Sequence, residues 1–263
     1  MSQTFGQNFA NFYDLFYQSK DYEKECCFIE NMISPFLPAN KKTSPKKEIK
    51  ILDVACGTGG HTHVLAKKGY NVTGSDLSQD MVSNAIAKAK RDSLPIRYFG
   101  NVPMQSISFA EKFDVIICMF AAIDYLTEKK DLHSFLRKAS EHLNSNGLLL
   151  FDFYNGIEAV KHYDPYRVKD FDKGSQSIIR ISRTTPNFLK SRLEIEFETI
   201  YIEEKNVVFR DKEMHFMRFY LPLDMKDIID EMGFDVVKLC PFMEPDKDIR
   251  ATDWNLSLLA RKK

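Results

Sequence analysis

Residues 52 to 78, LDVACGTGGHTHVLAKKGYNVTGSDLS, constrain the fold of this chain more than any other stretch. An apolar run ends in Gly57-Thr58-Gly59. A helix-like segment, His61 to Lys68, follows, and a second apolar run, Asn71 to Ser75, closes on Asp76. Strands this apolar are buried on both faces, which requires a parallel sheet with helices above and below. The pattern recurs downstream. Ser78 stands in N-cap position for a helix over Gln79 to Arg91. Ile96 to Phe99 reads as a short strand and Phe113 to Met119 as a strong buried one. A helix is predicted over Glu128 to Leu143, begun by Thr127 and stopped by Asn146-Gly147. Leu148 to Phe153 is another buried strand. The class is α/β, with a doubly wound sheet.

The flanks differ in period. Phe9, Phe12, Tyr13, Phe16 and Tyr17 recur at three- and four-residue spacing, so residues 8–37 are predicted helical, ended by Pro35 and Pro38. Residues 39–48 read as a polar linker, its lysines solvated. After residue 155 the period becomes two. Residues 176–184, 190–203 and 206–220 alternate apolar and polar, predicting a small antiparallel sheet with a turn at Lys205-Asn206. A helix near Leu223 to Met232 and strands at Phe234 to Leu239 and Trp254 to Ala260 then complete the core sheet. Four segments are expected: a helical cap at 1–48, the core at 49–154, an antiparallel subdomain at 155–221 and a closing unit at 222–263.

Bulk properties remove several function classes. The 263 residues carry 37 basic and 37 acidic side chains, with no basic stripe of the kind nucleic-acid binders use. No apolar run approaches the ~18 residues of a membrane span, and the N-terminus lacks a signal-peptide pattern. Five cysteines without a CxxC pair suggest reduced thiols and a cytoplasmic protein. His61 and His63 are two apart on a helix and point in different directions, so no metal site is expected.

The glycine turn suits two kinds of ligand, a dinucleotide or S-adenosylmethionine (SAM). A dinucleotide fingerprint wants a third glycine where Thr62 stands. SAM has no pyrophosphate and carries an ammonium and a sulfonium, so a carboxylate at Asp53 favours it. Asp76, at the end of the second strand, can accept both hydroxyls of a ribose from either ligand. Its other reading is an acid favoured by a helix N-terminus.

Five pieces in order, DVACGTGG, GSDLSQDM, GNVPM, FDVIICMF and NGLLLFDF, resemble the motifs of class I SAM-dependent methyltransferases. That resemblance implies a Rossmann-like seven-stranded sheet with an antiparallel last strand, and SAM as cofactor. More narrowly, FYDLFYQSKDYEKE, LDVACGTG and CMFAAIDYL are similar to nucleotide-sugar N-methyltransferases acting on dTDP-linked amino sugars. The resemblance implies that Tyr13 and Tyr22 approach SAM, although both also suit helix packing. Ala55, Cys56 and Gly57 would line its methionine and ribose, Cys56 as a packing residue. Leu77 and Met81 would flank the adenine, and Asn101-Val102 would read its edge, with Asn101 in place of the usual acid. Met119 would contact the cofactor from below.

Tyr125 is the candidate catalytic residue, as proton acceptor or orienting group. Asp152 and Tyr154 would line the acceptor pocket. Ala121-Ala122 replaces two serines of close relatives, which removes possible substrate hydrogen bonds. Arg218 can pair with a diphosphate, or face solvent. Trp254 can stack on a base or sugar, or plug the core. His215 reads more readily as a packed or surface histidine than as a base. Three functions remain open: N-methylation of a nucleotide-linked sugar, O-methylation of a sugar or other metabolite, and SAM binding without catalysis. The lack of a histidine near the strand tips favours nitrogen, because a hydroxyl needs a base more urgently. An exposed antiparallel edge allows a homodimer.

Overall fold

The computed structural model describes residues 7–173 and 176–263; positions 1–6 of the first expected segment, and 174 and 175 of the third, lie outside it. Helices α1 (Gln7–Phe16), α2 (Tyr22–Ile33) and the short α3 (Ala39–Lys42) precede strand β1 (Lys50–Val54). Then come α4 (Gly60–Lys67), β2 (Asn71–Ser75), α5 (Gln79–Arg91), β3 (Arg97–Phe99) and β4 (Phe113–Cys118). Helix α6 (Lys129–His142) runs directly into β5 (Leu143–Tyr154), followed by α7 (Gly156–His162). Strands β6 (Tyr166–Lys173), β7 (Gln176–Asn187), β8 (Arg192–Glu203) and β9 (Asn206–Arg218) are consecutive. Helix α8 (Pro222–Glu231) and strands β10 (Phe234–Pro241) and β11 (Asn255–Lys262) end the chain.

One sheet has the order β10-β11-β5-β4-β1-β2-β3. Its strands are parallel except β11, which runs antiparallel to both β10 and β5. This is the Rossmann-like arrangement expected. Alternation sends Leu52 and Val54 of β1 to one face, where Phe135, Leu136, Met225 and Ile229 of α6 and α8 cover them. Ile51 faces the other way, under Ile29, Met32 and Ile33 of α2 and Leu65 of α4. Each such side chain contributes roughly 1.5–3 kcal/mol by leaving water.

The segment expected as a cap therefore divides. Helix α2 carries a fully buried stripe at Cys26, Ile29, Met32 and Ile33 and belongs to the core. The helical stretch breaks at Asp21, whose carboxylate caps α2 by accepting from the Lys24 amide at 3.0 Å. The linker lysines are not simply solvated: Lys41 lies 3.1 Å from Asp114, and Lys46 pairs with Glu30 at 2.5 Å. Helix α6 has Glu128 rather than Thr127 at its N-cap position, with no side-chain cap bond. Asn146-Gly147 does not stop it. With Asn146 at φ 59°, that pair forms a bulge in β5 where the register against β4 shifts.

The other sheet is antiparallel, in the order β6-β7-β8-β9. Strand β6 and helix α7 escaped the sequence reading; β6 is an edge strand of mixed polarity and α7 only two turns long. The hairpin turn falls on Glu204 and Lys205, both with positive φ, one residue earlier than expected. This sheet joins the core where the Gly156 amide donates to the Tyr220 carbonyl at 2.9 Å. A Cβ at Gly156 would meet Phe219 and Tyr220 at 3.0–3.3 Å, so the close approach depends on glycine. Helix α1 rests its aromatic face on the added sheet, with Phe12 centred 5.4 Å from Tyr201 and 5.8 Å from Phe209. Between α1, that sheet and the carboxyl ends of β1, β4 and β5 lies a cavity of 440 Å³.

Candidate active site

The glycine turn is built from main-chain bonds. Ala55, Gly57 and Gly59 all have positive φ. The Cys56 amide donates to the Ser75 carbonyl at 3.0 Å, which locks the turn to the end of β2. Asp76 completes it: one carboxylate oxygen accepts from the Gly57 amide and the other from the Ser78 amide, each at 2.8 Å. Burial pushes the Asp76 carboxyl up, and these amides pull the other way. Ser78 caps α5 as expected, its hydroxyl accepting from the Met81 amide at 3.3 Å. A Cβ at Gly60 would lie 2.3 Å from the Tyr22 ring, so the start of α4 must be bare for Tyr22 to sit on it.

Most of the expected site residues meet at this cavity. Asp53, Ala55, Cys56 and Gly57 line it from β1 and its turn, and Asp76, Leu77 and Met81 from the end of β2. Val102 lines it from the loop after β3, Met119 from the end of β4, and Tyr13 and Tyr22 from the helices above. Tyr125 and Tyr154 close the far end. Asp53 is wholly buried and accepts from the Thr62 hydroxyl at 2.5 Å. Burial pushes its carboxyl up to about 6; the charge of Asp76 adds to this, while His61 and Thr62 oppose it. Burial likewise raises the Cys56 thiol well above its ordinary value, which suits a packing residue.

Four expected residues lie elsewhere. Asn101 does not line the cavity. Its φ of 56° turns it outward, and its amide donates to Gln79 at 3.3 Å. Asp152 sits beneath the floor, accepting from the Ala121 amide at 2.9 Å and from Asn255 at 3.3 Å. It braces the loop Phe120-Ala121, both at positive φ, and burial pushes its carboxyl up to about 6. Arg218 is off the cavity, 3.4 Å from the Thr127 carbonyl and over the Tyr220 ring. Trp254 lines a second cavity of 490 Å³, which shares Tyr17, Phe120, Tyr154, Arg180, Ile195 and Phe197 with the first.

The added sheet brings groups the sequence reading undervalued. Arg180 of β7 lies within 5.6 Å of the ring centres of Phe9, Phe16, Tyr17 and Phe197 and donates to the Tyr17 hydroxyl at 3.2 Å. His215 of β9 stands 2.8 Å from the Tyr125 hydroxyl through Nδ1 and 3.1 Å from Glu213 through Nε2. Strand alternation marks His215 as facing the same way as Met217 and Phe219, but no local signal shows that this face meets the tip of β4. Lys20 lines the cavity from the turn before α2, 2.8 Å from Glu25 and 3.7 Å from the Phe120 ring centre. The other Glu25 oxygen lies 2.7 Å from Nε2 of His61, and His63 meets the Tyr98 hydroxyl at 3.0 Å, so the two histidines serve separate contacts.

The cavity fits SAM by the chemistry of its lining. Buried Asp53 and Asp76 both hold protons more tightly than free carboxyls and gain from a cation. Aromatic faces at Tyr13, Tyr17 and Tyr22 suit a sulfonium. An acid and the 57% exposed Leu77 at the end of β2 suit a ribose beside an aromatic base. Fold and site together define a SAM-dependent methyltransferase.

Residues 51–147 match the family model described as a methyltransferase domain. The chain is 30% identical over 191 residues to the dTDP-3-amino-3,4,6-trideoxy-alpha-D-glucopyranose N,N-dimethyltransferase of Streptomyces venezuelae, covering 72% of this chain and 74% of that protein. It is 27% identical over 233 residues to a protein named as a methyltransferase in Geobacillus sp. (strain WCH70), covering 89% and 90% of the two chains. The crystal structure of an S-adenosylmethionine-dependent methyltransferase from Clostridium acetobutylicum ATCC 824 shares the fold, with a TM-score of 0.78 at 21% identity over 97% of this chain and 98% of that one. The chain belongs to the class I SAM-dependent methyltransferases and is similar to the amino-sugar N,N-dimethyltransferases among them.

Proposed function

We propose that the acceptor is the amino group of a nucleotide-linked sugar, the dTDP-linked amino sugars named for the Streptomyces relatives being the first to try. The observation that carries this reading is the second cavity. Lys169 and Arg167 supply cations to it, Arg167 pairing also with Asp164 of the same wall at 2.8 Å; Tyr163 and Trp254 supply aromatic faces, and it opens beside Tyr154 on the cofactor cavity. A diphosphate wants such cations, and a base wants such faces. The diphosphate role passes from Arg218 to Arg167 and Lys169. Trp254 keeps its stacking role, with Tyr154 centred 5.6 Å away.

In this reading Asp76 holds the ribose of SAM, Leu77 and Met81 the adenine, and Ala55, Cys56 and Gly57 the methionine end. Tyr13 and Tyr22 cover it, with Asp53 and Met119 below. SAM supplies an activated methyl group, and the chain's residues align the acceptor and exclude water. Such alignment can contribute roughly 7–11 kcal/mol. Tyr125, at the strand tip, accepts a hydrogen bond from the acceptor nitrogen. Incubation with SAM and paired dTDP-sugars, one bearing an amine and the other a hydroxyl at the same carbon, tests this by mass spectrometry. Methylation of the amine is expected; methylation of the hydroxyl alone, or of neither sugar, overturns it.

One observation favours O-methylation as a second reading. His215 beside Tyr125 supplies the base that a hydroxyl acceptor needs, which removes the sequence argument against oxygen. The same pair of substrates separates the two. A homodimer through the β6 edge and a cytoplasmic location complete the proposal. All five cysteines being free supports the location, and sedimentation at several concentrations tests the dimer.

A further inference from the structure

We propose that Tyr125, His215 and Glu213 form a proton relay that removes the proton from the acceptor nitrogen after methylation, and so permits a second methyl transfer to the same atom. The inference rests on the amino-sugar reading and extends it to the number of methyl groups added.

The polarity of the chain of bonds follows from its end. The relay requires the Glu213 carboxylate oxygen to accept, with His215 donating to it from Nε2, across 3.1 Å. That leaves the lone pair of the ring on Nδ1, which accepts from the Tyr125 hydroxyl across 2.8 Å. Tyr125 itself lines the cavity. Phe9 and Phe197 hold the imidazole, with ring centres 5.7 and 4.8 Å away, and His215 is 1% exposed. A proton released at the cavity can leave along the Tyr125–His215–Glu213 bonds.

The step balances. As the carbon–nitrogen bond forms and the carbon–sulfur bond of the donor breaks, the amine becomes an ammonium. One N–H proton passes to the Tyr125 oxygen and leaves its electron pair on nitrogen. The Tyr125 proton passes to Nδ1 of His215, and the Nε2 proton of His215 passes in turn to Glu213, which returns the imidazole to its neutral form. The regenerated lone pair can attack a second donor, whereas an ammonium cannot. The charged and titratable groups facing Tyr125 and His215 among the described residues are Arg180 of β7, Glu213 of β9, Tyr154 of β5 and Tyr17 after α1. Burial above all opposes the imidazolium, Glu213 favours it and Arg180 opposes it, and the net effect holds the His215 pKa below its ordinary value, so the charge on the ring is transient. Tyr125 is the catalytic residue; His215 and Glu213 are positioning residues that act through it.

The test uses the full chain and its Glu213→Gln and Tyr125→Phe variants, each checked for SAM uptake by calorimetry. The first and second transfers to a dTDP-amino sugar are timed across pH. The ratio of second to first transfer should fall about 10²-fold near neutrality in both variants, and recover as pH rises and solvent base takes over. An unchanged ratio overturns the relay, as does an equal fall of both transfers at every pH, which a merely structural role would give. Nitrogen NMR of free wild-type protein supplies a readout independent of any acceptor: His215 should carry its proton on Nε2, and the opposite tautomer overturns the relay. A wild type that adds only one methyl to the amine also overturns the relay and leaves the acceptor reading standing. One that ignores every amino sugar overturns the acceptor reading, and with it the relay as proposed.

Discussion

The two sheets contribute to the cavity by different means. The core sheet positions its groups through the backbone: Asp76 is gripped by the amides of Gly57 and Ser78, and the turn around it by main-chain bonds. The antiparallel sheet positions its groups through side-chain contacts, with Arg180 among four rings and His215 between Tyr125 and Glu213. Groups held by main-chain amides tolerate variation in neighbouring side chains. In the proposed reading these face the donor, and the side-chain contacts of the added sheet, facing the acceptor, can be re-specified by a few substitutions.

The hardest blow to this division would come at Asp76. Asp76→Ala leaves two amides unpaired and removes hydrogen bonds of a kind worth about 1.5–3 kcal/mol each. SAM binding by calorimetry should weaken by about 100-fold or more. Next is Gly60→Ala, whose new Cβ displaces Tyr22. A roughly tenfold loss of SAM affinity is expected, and in a Tyr22→Ala background the same change should cost little, a non-additivity that a double-mutant cycle reads directly. On the other sheet, Arg180→Met should raise KM for the acceptor about tenfold with SAM affinity held. A matching loss of SAM affinity would break the comparison.

Smaller effects follow pH. Burial raises the Asp53 carboxyl to about 6, so it loses its negative charge as pH falls through that value. SAM affinity should drop by up to about tenfold per pH unit below it, and Asp53→Asn should flatten the profile. Stability runs the opposite way. An acid whose folded pKa lies above its unfolded value of about 4 stabilises the fold at low pH and loses that contribution as pH rises through about 6. At neutral pH, Asp53→Asn should therefore raise the Tm of the free protein by a few degrees.

What could be read from the sequence tracks the same division. Ser78, Asp76 and the glycine turn were legible because a cap, a strand end and a positive φ are local demands. Asn101 was misread because its backbone turn sends the side chain to Gln79. Asp152 was misread because its strand position says which end of the sheet it occupies but not that its carboxylate folds under Ala121. His215 and Arg180 were undervalued for a different reason. Alternation assigns each a face, and only the packing of one sheet against the other says what that face meets. Arg218 shows the same limit in reverse, a cation on a strand of the added sheet that ends beside a carbonyl rather than a ligand.

Strand β11 lies between β5 and β10, yet it is the last strand in chain order. During synthesis, β5 and β10 wait with bare edges until β11 emerges behind them, which invites mispairing with neighbouring chains. Asn255, part of the cavity wall, arrives with that strand. A fragment lacking it has an incomplete binding pocket, so the pocket closes only once β11 has docked between β5 and β10.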